Sequence, residues 1–180
     1  MSGTYPVWTG SDWIELPVPE SGGEAVVVPN INAIVYDGPA RRRILLQRRD
    51  KPGEVVRGRL EVPGGRWRAG QPPDTEVVRE VVEETGVTVT AVAAAVERID
   101  HEPHVATVIA RPLAVVVGVA GAYPSLHVLF ECYGEGEPQP VPGETADPRW
   151  WDIADVRELL AADPDAFVWH TAAMLSAVIA

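Results

Sequence analysis

The chain has 180 residues, 46% apolar and 23% charged, a balance that suits one globular domain with a sizeable core. A net charge of −11 opposes binding to a nucleic-acid polymer, and the longest apolar run, residues 113–122, is broken by Gly118 and Gly121 and falls short of the roughly 20 residues that span a bilayer. The N-terminus lacks a basic region followed by an apolar core, and the single Cys132 allows neither an intrachain disulfide nor a zinc spacing, so a cytoplasmic protein with no membrane partner is expected.

Residues 1–24 hold Pro6, Pro17, Pro19, Gly22 and Gly23 and read as an irregular N-terminal arm before a domain spanning 25–180. Trp8 and Trp13 are costly to leave exposed, so the arm is expected to pack on its own domain or on a second subunit. Residues 25–28 and 31–36 are β-branched runs that predict strands. Asp37-Gly38-Pro39 predicts a turn, and 43–47 the return strand of a hairpin. A loop follows over 50–57, then a short strand at 60–62 that ends in Pro63-Gly64-Gly65, where glycine permits a sharp turn and close ligand approach.

Pro72-Pro73-Asp74 predicts a helix start and Gly86 its left-handed cap. Val77, Val78, Val81 and Val82 oppose a helix by propensity. An Arg79–Glu83 pair at i,i+4 favours it, and the four valines would then form one apolar stripe on the core. Beyond it, 87–98, 109–119 and 126–133 predict strands, with Arg111-Pro112 at a strand start or edge. His101-Glu102-Pro103-His104 lacks the spacing of a helical zinc site and reads as a loop. Residues 134–148 form a Gly/Pro/Glu-rich loop, 150–153 a last short strand, and 155–162 and 167–180 two helices separated at Asp163-Pro164. Strands mixed with helices before and after predict an α+β fold, with a mixed sheet flanked by helices as an α/β/α sandwich. Cys132 lies in an apolar strand as a small hydrophobe, and Trp150 and Trp151 read as core or interface.

On the predicted helix Glu80, Glu83 and Glu84 share one face. Three adjacent carboxylates repel one another unless they are fully solvated or hold a hard cation such as Mg²⁺. Ten of the fifteen basic residues (Arg41, Arg42, Arg43, Arg48, Arg49, Lys51, Arg57, Arg59, Arg66 and Arg68) lie just before this helix. Basic residues beside an acidic cluster suit an anionic ligand bridged to the acids by metal.

These residues resemble a Nudix box. Gly65 opens it, and Arg79-Glu80-Val81-Val82-Glu83-Glu84-Thr85-Gly86-Val87 completes it. The flanking ILLQRR strand, the Pro63-Gly64-Gly65 turn and the later DPRWWDIADV segment are similar to the family as well. One position departs: Gln71 stands where the family has a glutamate near the motif arginine, and keeps hydrogen bonding without the charge. The resemblance implies hydrolysis of a diphosphate linkage in a small-molecule nucleoside diphosphate derivative such as ADP-ribose, a nucleotide sugar or an NTP. It implies Mg²⁺, with Mn²⁺ as the alternative, on Glu80, Glu83 and Glu84 and on the Gly64 carbonyl. Arg79 would orient a glutamate, and Arg48, Arg49, Arg66 and Arg68 would contact phosphate. The general base would be Glu83 or Glu84, or Glu144 or Asp147 from the late loop. A proline often found downstream of the box in the ADP-ribose branch has its counterpart in Pro103. Many relatives are homodimers, with which a Trp-bearing arm is compatible. Two other readings stand beside this one: a nucleotide-binding or regulatory domain weakened catalytically by Gln71, and a structural protein whose glutamates form a solvated face.

Overall fold

A computed structural model describes residues 3–19, 23, 27–94, 96–102, 105–121 and 123–179. The predicted strand at 25–28 lies partly outside these residues, and Pro103 and His104 lie wholly outside them. In chain order the elements are β1 (Thr4–Trp8), β2 (Trp13–Pro17), β3 (Val28–Tyr36), β4 (Arg43–Arg49), β5 (Leu60–Glu61), β6 (Gly64–Arg66), α1 (Pro73–Thr85), β7 (Thr88–Val92), β8 (Val96–Glu102), β9 (Val105–Ala110), β10 (Ala114–Gly118), β11 (Ser125–Glu135), β12 (Thr145–Asp152), α2 (Ile153–Ala162) and α3 (Trp169–Val178). A 3₁₀ turn, Pro164–Ala166, separates the last two helices at the predicted Asp163-Pro164 break.

The main sheet runs β10-β11-β3-β4-β12, with β5 on β4, β6 on β3 and β7 on β11. Its centre is the parallel pair β11–β3, in register from Ser125↔Val28 to Tyr133↔Tyr36. Side chains alternate along β3, because successive strand residues point to opposite faces. Ile31, Ala33 and Val35 pack with Leu45, Phe130, Cys132 and the α1 residues Val77 and Val81. Ile34 and Tyr36 pack on the other face with Ile44, Leu46, Val156, Phe167, Met174 and Leu175. The sheet is therefore covered by α1 on one side and by α2 and α3 on the other, the mixed α/β/α arrangement expected.

Several local expectations are corrected. Residues 4–17 are an antiparallel hairpin, not an irregular arm. It docks on its own chain: Tyr5 stacks on Tyr123 and Arg66 Nη1 donates to the Pro6 carbonyl at 2.9 Å. Trp8 and Trp13 nevertheless stay largely exposed. The β3–β4 hairpin makes a single ladder pair, Tyr36↔Ile44, and β4 pairs mainly with β12. Strand breaks divide 87–98 after Val92 and 109–119 at residues 111–113. His101 and Glu102 end strand β8 and are not loop. The 134–148 loop is shorter than predicted, since β11 reaches Glu135 and β12 begins at Thr145. Of the four helix valines, Val77 and Val81 are buried, Val78 is half-buried and Val82 is exposed. The buried pair sits at i,i+4, and Val82, one position further round, is turned off the apolar stripe.

Candidate active site

Helix α1 carries the box. Pro72 occupies the N-cap with extended backbone and Pro73 the first helical position, where its missing N–H is no loss. Asp74 and Glu76 lie in the first turn, where the helix dipole favours acids. Gly86, at φ 68°, closes the helix in the left-handed region, its N–H bonded to the Val82 carbonyl. Burial of Val77 and Val81 on the sheet outweighs the weak helix propensity of valine.

That orientation aims Glu80 and Glu84 at the Pro63-Gly64-Gly65 turn. The Gly64 N–H donates to Glu84 Oε2 at 2.9 Å, tying turn to helix. Backbone holds position 64 to glycine, and a Cβ at position 65 would displace the Glu80 carboxyl. A Cβ on Gly64 would lie 2.4 Å from Asn32 Nδ2 and from the Ile31 carbonyl, and one on Gly65 would lie 2.6 Å from Glu80 Oε2. The Glu84 carboxylate also accepts from Gln47 Nε2 at 2.8 Å. Burial, and then the charges of Glu61 and Glu80, push Glu84 up to about 7. Glu80 is likewise raised, chiefly by burial, against the opposing pull of Arg79.

Arg79 holds the helical acids together. Its Nε and Nη2 donate to the two oxygens of Glu76 at 3.0 and 2.9 Å, Nη1 donates to Glu83 at 2.5 Å, and Nη2 also reaches Glu80. The predicted Arg79–Glu83 pair is present. Arg68 approaches Glu83 at 3.9 Å, so it too stands beside the acids.

Other predicted site residues have partners of their own, and of these Arg49 reaches the box acids' neighbour Glu61. Arg49 is held by Glu54, at 2.6 and 2.9 Å, and by Glu61 at 3.5 Å. Arg48 donates to the Gly58 carbonyl and faces Asp147 at 3.6 Å. Arg66 is engaged by the N-terminal hairpin, through Pro6 and over the Trp13 ring. Glu144 is exposed and faces Lys51 at 3.9 Å. Its neighbour Thr145 anchors the late loop to the helix, donating to the Glu84 carbonyl at 3.1 Å. Gln71 is exposed; its backbone carbonyl accepts from Trp67 Nε1.

Three residues at this site escaped the sequence reading. Gln47 and Glu61 are buried beside Glu84, and burial raises Glu61 to about 7. Gln47 Oε1 and Glu61 Oε1 are buried without a hydrogen-bond partner. A carboxylate inside the apolar strand ahead of the glycine turn was the available signal for Glu61. The third, Glu76, sits at i,i+3 to Arg79, a spacing visible in the sequence.

The donor set fits a hard cation. Carboxylate and amide oxygens converge without sulfur or imidazole, two of them are orphaned, and the buried Glu84 is further raised by the charges of Glu61 and Glu80. Arg79 supplies the positive charge to Glu80 and Glu83, and no cluster of three metal-binding side chains is preassembled among the described residues. A cavity of about 550 Å³ lies elsewhere on α1, lined by Asp74, Thr75, Val78, Val92, Ala94 and Val96, none of them a member of the acid set.

An α/β/α domain that presents a helix of carboxylates to a double-glycine turn defines a class of hydrolases acting on phosphoric anhydrides. The chain belongs to the Nudix family: the NUDIX domain matches residues 27–170. By that membership it is a Nudix-type pyrophosphohydrolase, of a family that in general uses divalent cations to hydrolyse nucleoside diphosphate-linked compounds. Among solved structures it is similar to the MutT Nudix hydrolase of Burkholderia pseudomallei (20% identity, TM-score 0.53, covering 71% of this chain and 84% of that one). It is similar to the MutT protein of Methanosarcina mazei Go1 (17%, 0.55, 76% and 85%). A third likeness is to the Nudix domain of Shewanella oneidensis NrtR, solved with ADP-ribose (16%, 0.55, 78% and 82%). At these identities the likeness establishes the fold. No curated protein matches the sequence. No helix among the described residues is long and apolar enough to cross a membrane.

Proposed function

We propose that the protein hydrolyses the diphosphate linkage of a nucleoside diphosphate derivative, with Mg²⁺, or Mn²⁺ in its place, held by Glu80, Glu83, Glu84 and the Gly64 carbonyl. The observation that supports this most is the buried, mutually repelling pair Glu80 and Glu84, set against a turn so close that a Cβ on Gly64 would strike backbone and one on Gly65 would strike the Glu80 carboxyl. When bound, the cation neutralises phosphate oxygens and acidifies a coordinated water. The protein's part is positional. The Gly64 N–H and Gln47 fix the Glu84 carboxylate. Arg79 orients Glu80 and Glu83 until they turn to the ligand. Arg68 lies nearest the acids to meet a phosphate, with Arg66 beside the same turn and Arg48 and Arg49 on the strand behind. Glu83 is the best-exposed acid of the three and so best placed to take a proton from water; Glu84 and the late-loop Glu144 are the other candidates.

ADP-ribose, the ligand of the Shewanella NrtR Nudix domain, is the first substrate to try, followed by nucleotide sugars and NTPs. The reading places the enzyme in the cytoplasm, with the exposed Trp8 and Trp13 available to a homodimer contact, which light scattering would detect. A weakened, ligand-binding domain is the second reading, favoured by the exposed, uncharged Gln71. A substrate panel with Mg²⁺ or Mn²⁺ separates them. Turnover above an EDTA control supports hydrolysis; nucleotide binding without turnover supports the second.

A further inference from the structure

We infer that Glu76 is the positioning residue for Arg79, supplying from inside the helix the carboxylate that Gln71 lacks. The inference rests on the proposed cation chemistry and deepens it. Glu76 is 2% exposed, and every bond it makes is internal. Both of its oxygens accept from Arg79, at 3.0 and 2.9 Å, and Oε2 also accepts the Arg68 N–H at 3.2 Å. Hydrogen bonds from Arg79, and then from the Arg68 N–H, hold Glu76 below the usual carboxylate range. Gln71, by contrast, is exposed, and its backbone groups close the 67–71 turn through Trp67 Nε1 and the Arg68 carbonyl.

The geometry gives this pair a specific task. A two-point fork fixes the plane of a guanidinium as a single contact does not. With Nε and Nη2 anchored on Glu76, Arg79 extends Nη1 to Glu83 and shares Nη2 with Glu80. Glu80 and Glu83 can then exchange Arg79 for a cation while Arg79 keeps a full carboxylate partner of its own. Without the Glu76 charge, Arg79 has only those two acids to pair with, and it competes with the cation for them. The Arg68 N–H bond adds a second effect: Glu76 ties the segment after Gly64-Gly65 to the helix, holding the turn and the acids in one register.

Loss of such a supporting partner weakens metal affinity about 10- to 100-fold. The test is Mn²⁺ titration by calorimetry on the full chain, alongside thermal melts. We expect Glu76→Gln to weaken Mn²⁺ binding at least tenfold. Gln71→Glu, on an exposed turn that will not disturb folding, should change it less than threefold, because Arg79 is already anchored. A folded Glu76→Gln protein that binds Mn²⁺ as the wild type does overturns the inference. So does a tenfold or larger gain from Gln71→Glu, which remains readable if Glu76→Gln does not fold. A wild type that binds no Mn²⁺ overturns the proposed function, and the role of Glu76 with it; normal wild-type binding with unaffected variants overturns the role of Glu76 alone.

Discussion

Replacing Glu84 with glutamine should stabilise the metal-free protein at pH 8 and abolish its stabilisation by Mg²⁺. Burial moves the Glu84 carboxyl from an ordinary 4.5 to about 7, so at pH 8 the fold carries an ionised group it disfavours by about 3 kcal/mol. Glu84→Gln removes that penalty. It keeps an oxygen at the same position, which still accepts from the Gly64 N–H, now at 2.9 Å, and from Gln47 Nε2, now at 2.8 Å. The preference of the Gly64 and Gln47 hydrogen bonds for the charged form is already contained in that penalty. The gain is about 3 kcal/mol, a melting temperature roughly 6–12 °C higher in a chain of this size. Differential scanning calorimetry at pH 8 and pH 5, with EDTA and with Mg²⁺, reads both effects. The gain should shrink at pH 5, and Mg²⁺ should raise the wild-type transition only. A variant less stable than wild type at pH 8 in EDTA, or one still stabilised by Mg²⁺, would refute the reasoning.

Gly65→Ala places a methyl 2.6 Å from Glu80 Oε2 and should weaken Mn²⁺ binding about tenfold with little change in circular dichroism; unchanged binding would mean that Glu80 has room to move. For the metal-free wild type, Glu61 and Glu84 are both raised to about 7, so the fold holds their protons where the unfolded chain, at 4.5, has released them. Their contribution is complete below pH 4.5 and lost as pH rises through 7, so melting temperature should fall across that window, and a flat profile would contradict the burial argument. Leu45→Ala, in the core beneath α1, should destabilise by about 2–5 kcal/mol in urea unfolding. A loss below 1 kcal/mol would show that α1 does not depend on that face.

How far the sequence was legible follows from where each signal resides. Helix α1 could be read despite its valines because Pro73, Gly86 and the Arg79–Glu83 pair are local, and local chemistry needs no knowledge of the fold. The parallel β11–β3 pairing could not, since its register joins residues 97 positions apart through burial of both faces. The acids of the box were found by spacing, whereas Gln47 and Glu61 enter the site only because β4 and β5 pair, at Gln47↔Glu61. The basic run was visible as composition, but composition does not assign partners. Arg41, Arg43, Arg49 and Arg57 are engaged by Glu131, Asp37, Glu54 and Asp50, and Arg68 is left beside the box acids. Trp8 and Trp13 are largely exposed instead of covered, on a hairpin anchored by the buried Tyr5.

The central claim, diphosphate hydrolysis by a cation on the α1 acids, is tested most directly by turnover of ADP-ribose, nucleotide sugars and NTPs with Mg²⁺ and Mn²⁺, comparing the wild type with Glu83→Gln. Cleavage of at least one compound, abolished by EDTA and reduced at least a hundredfold in the variant, is the predicted result. Cleavage that persists in EDTA, or that the variant retains in full, would contradict it, as would absence of turnover across the whole panel.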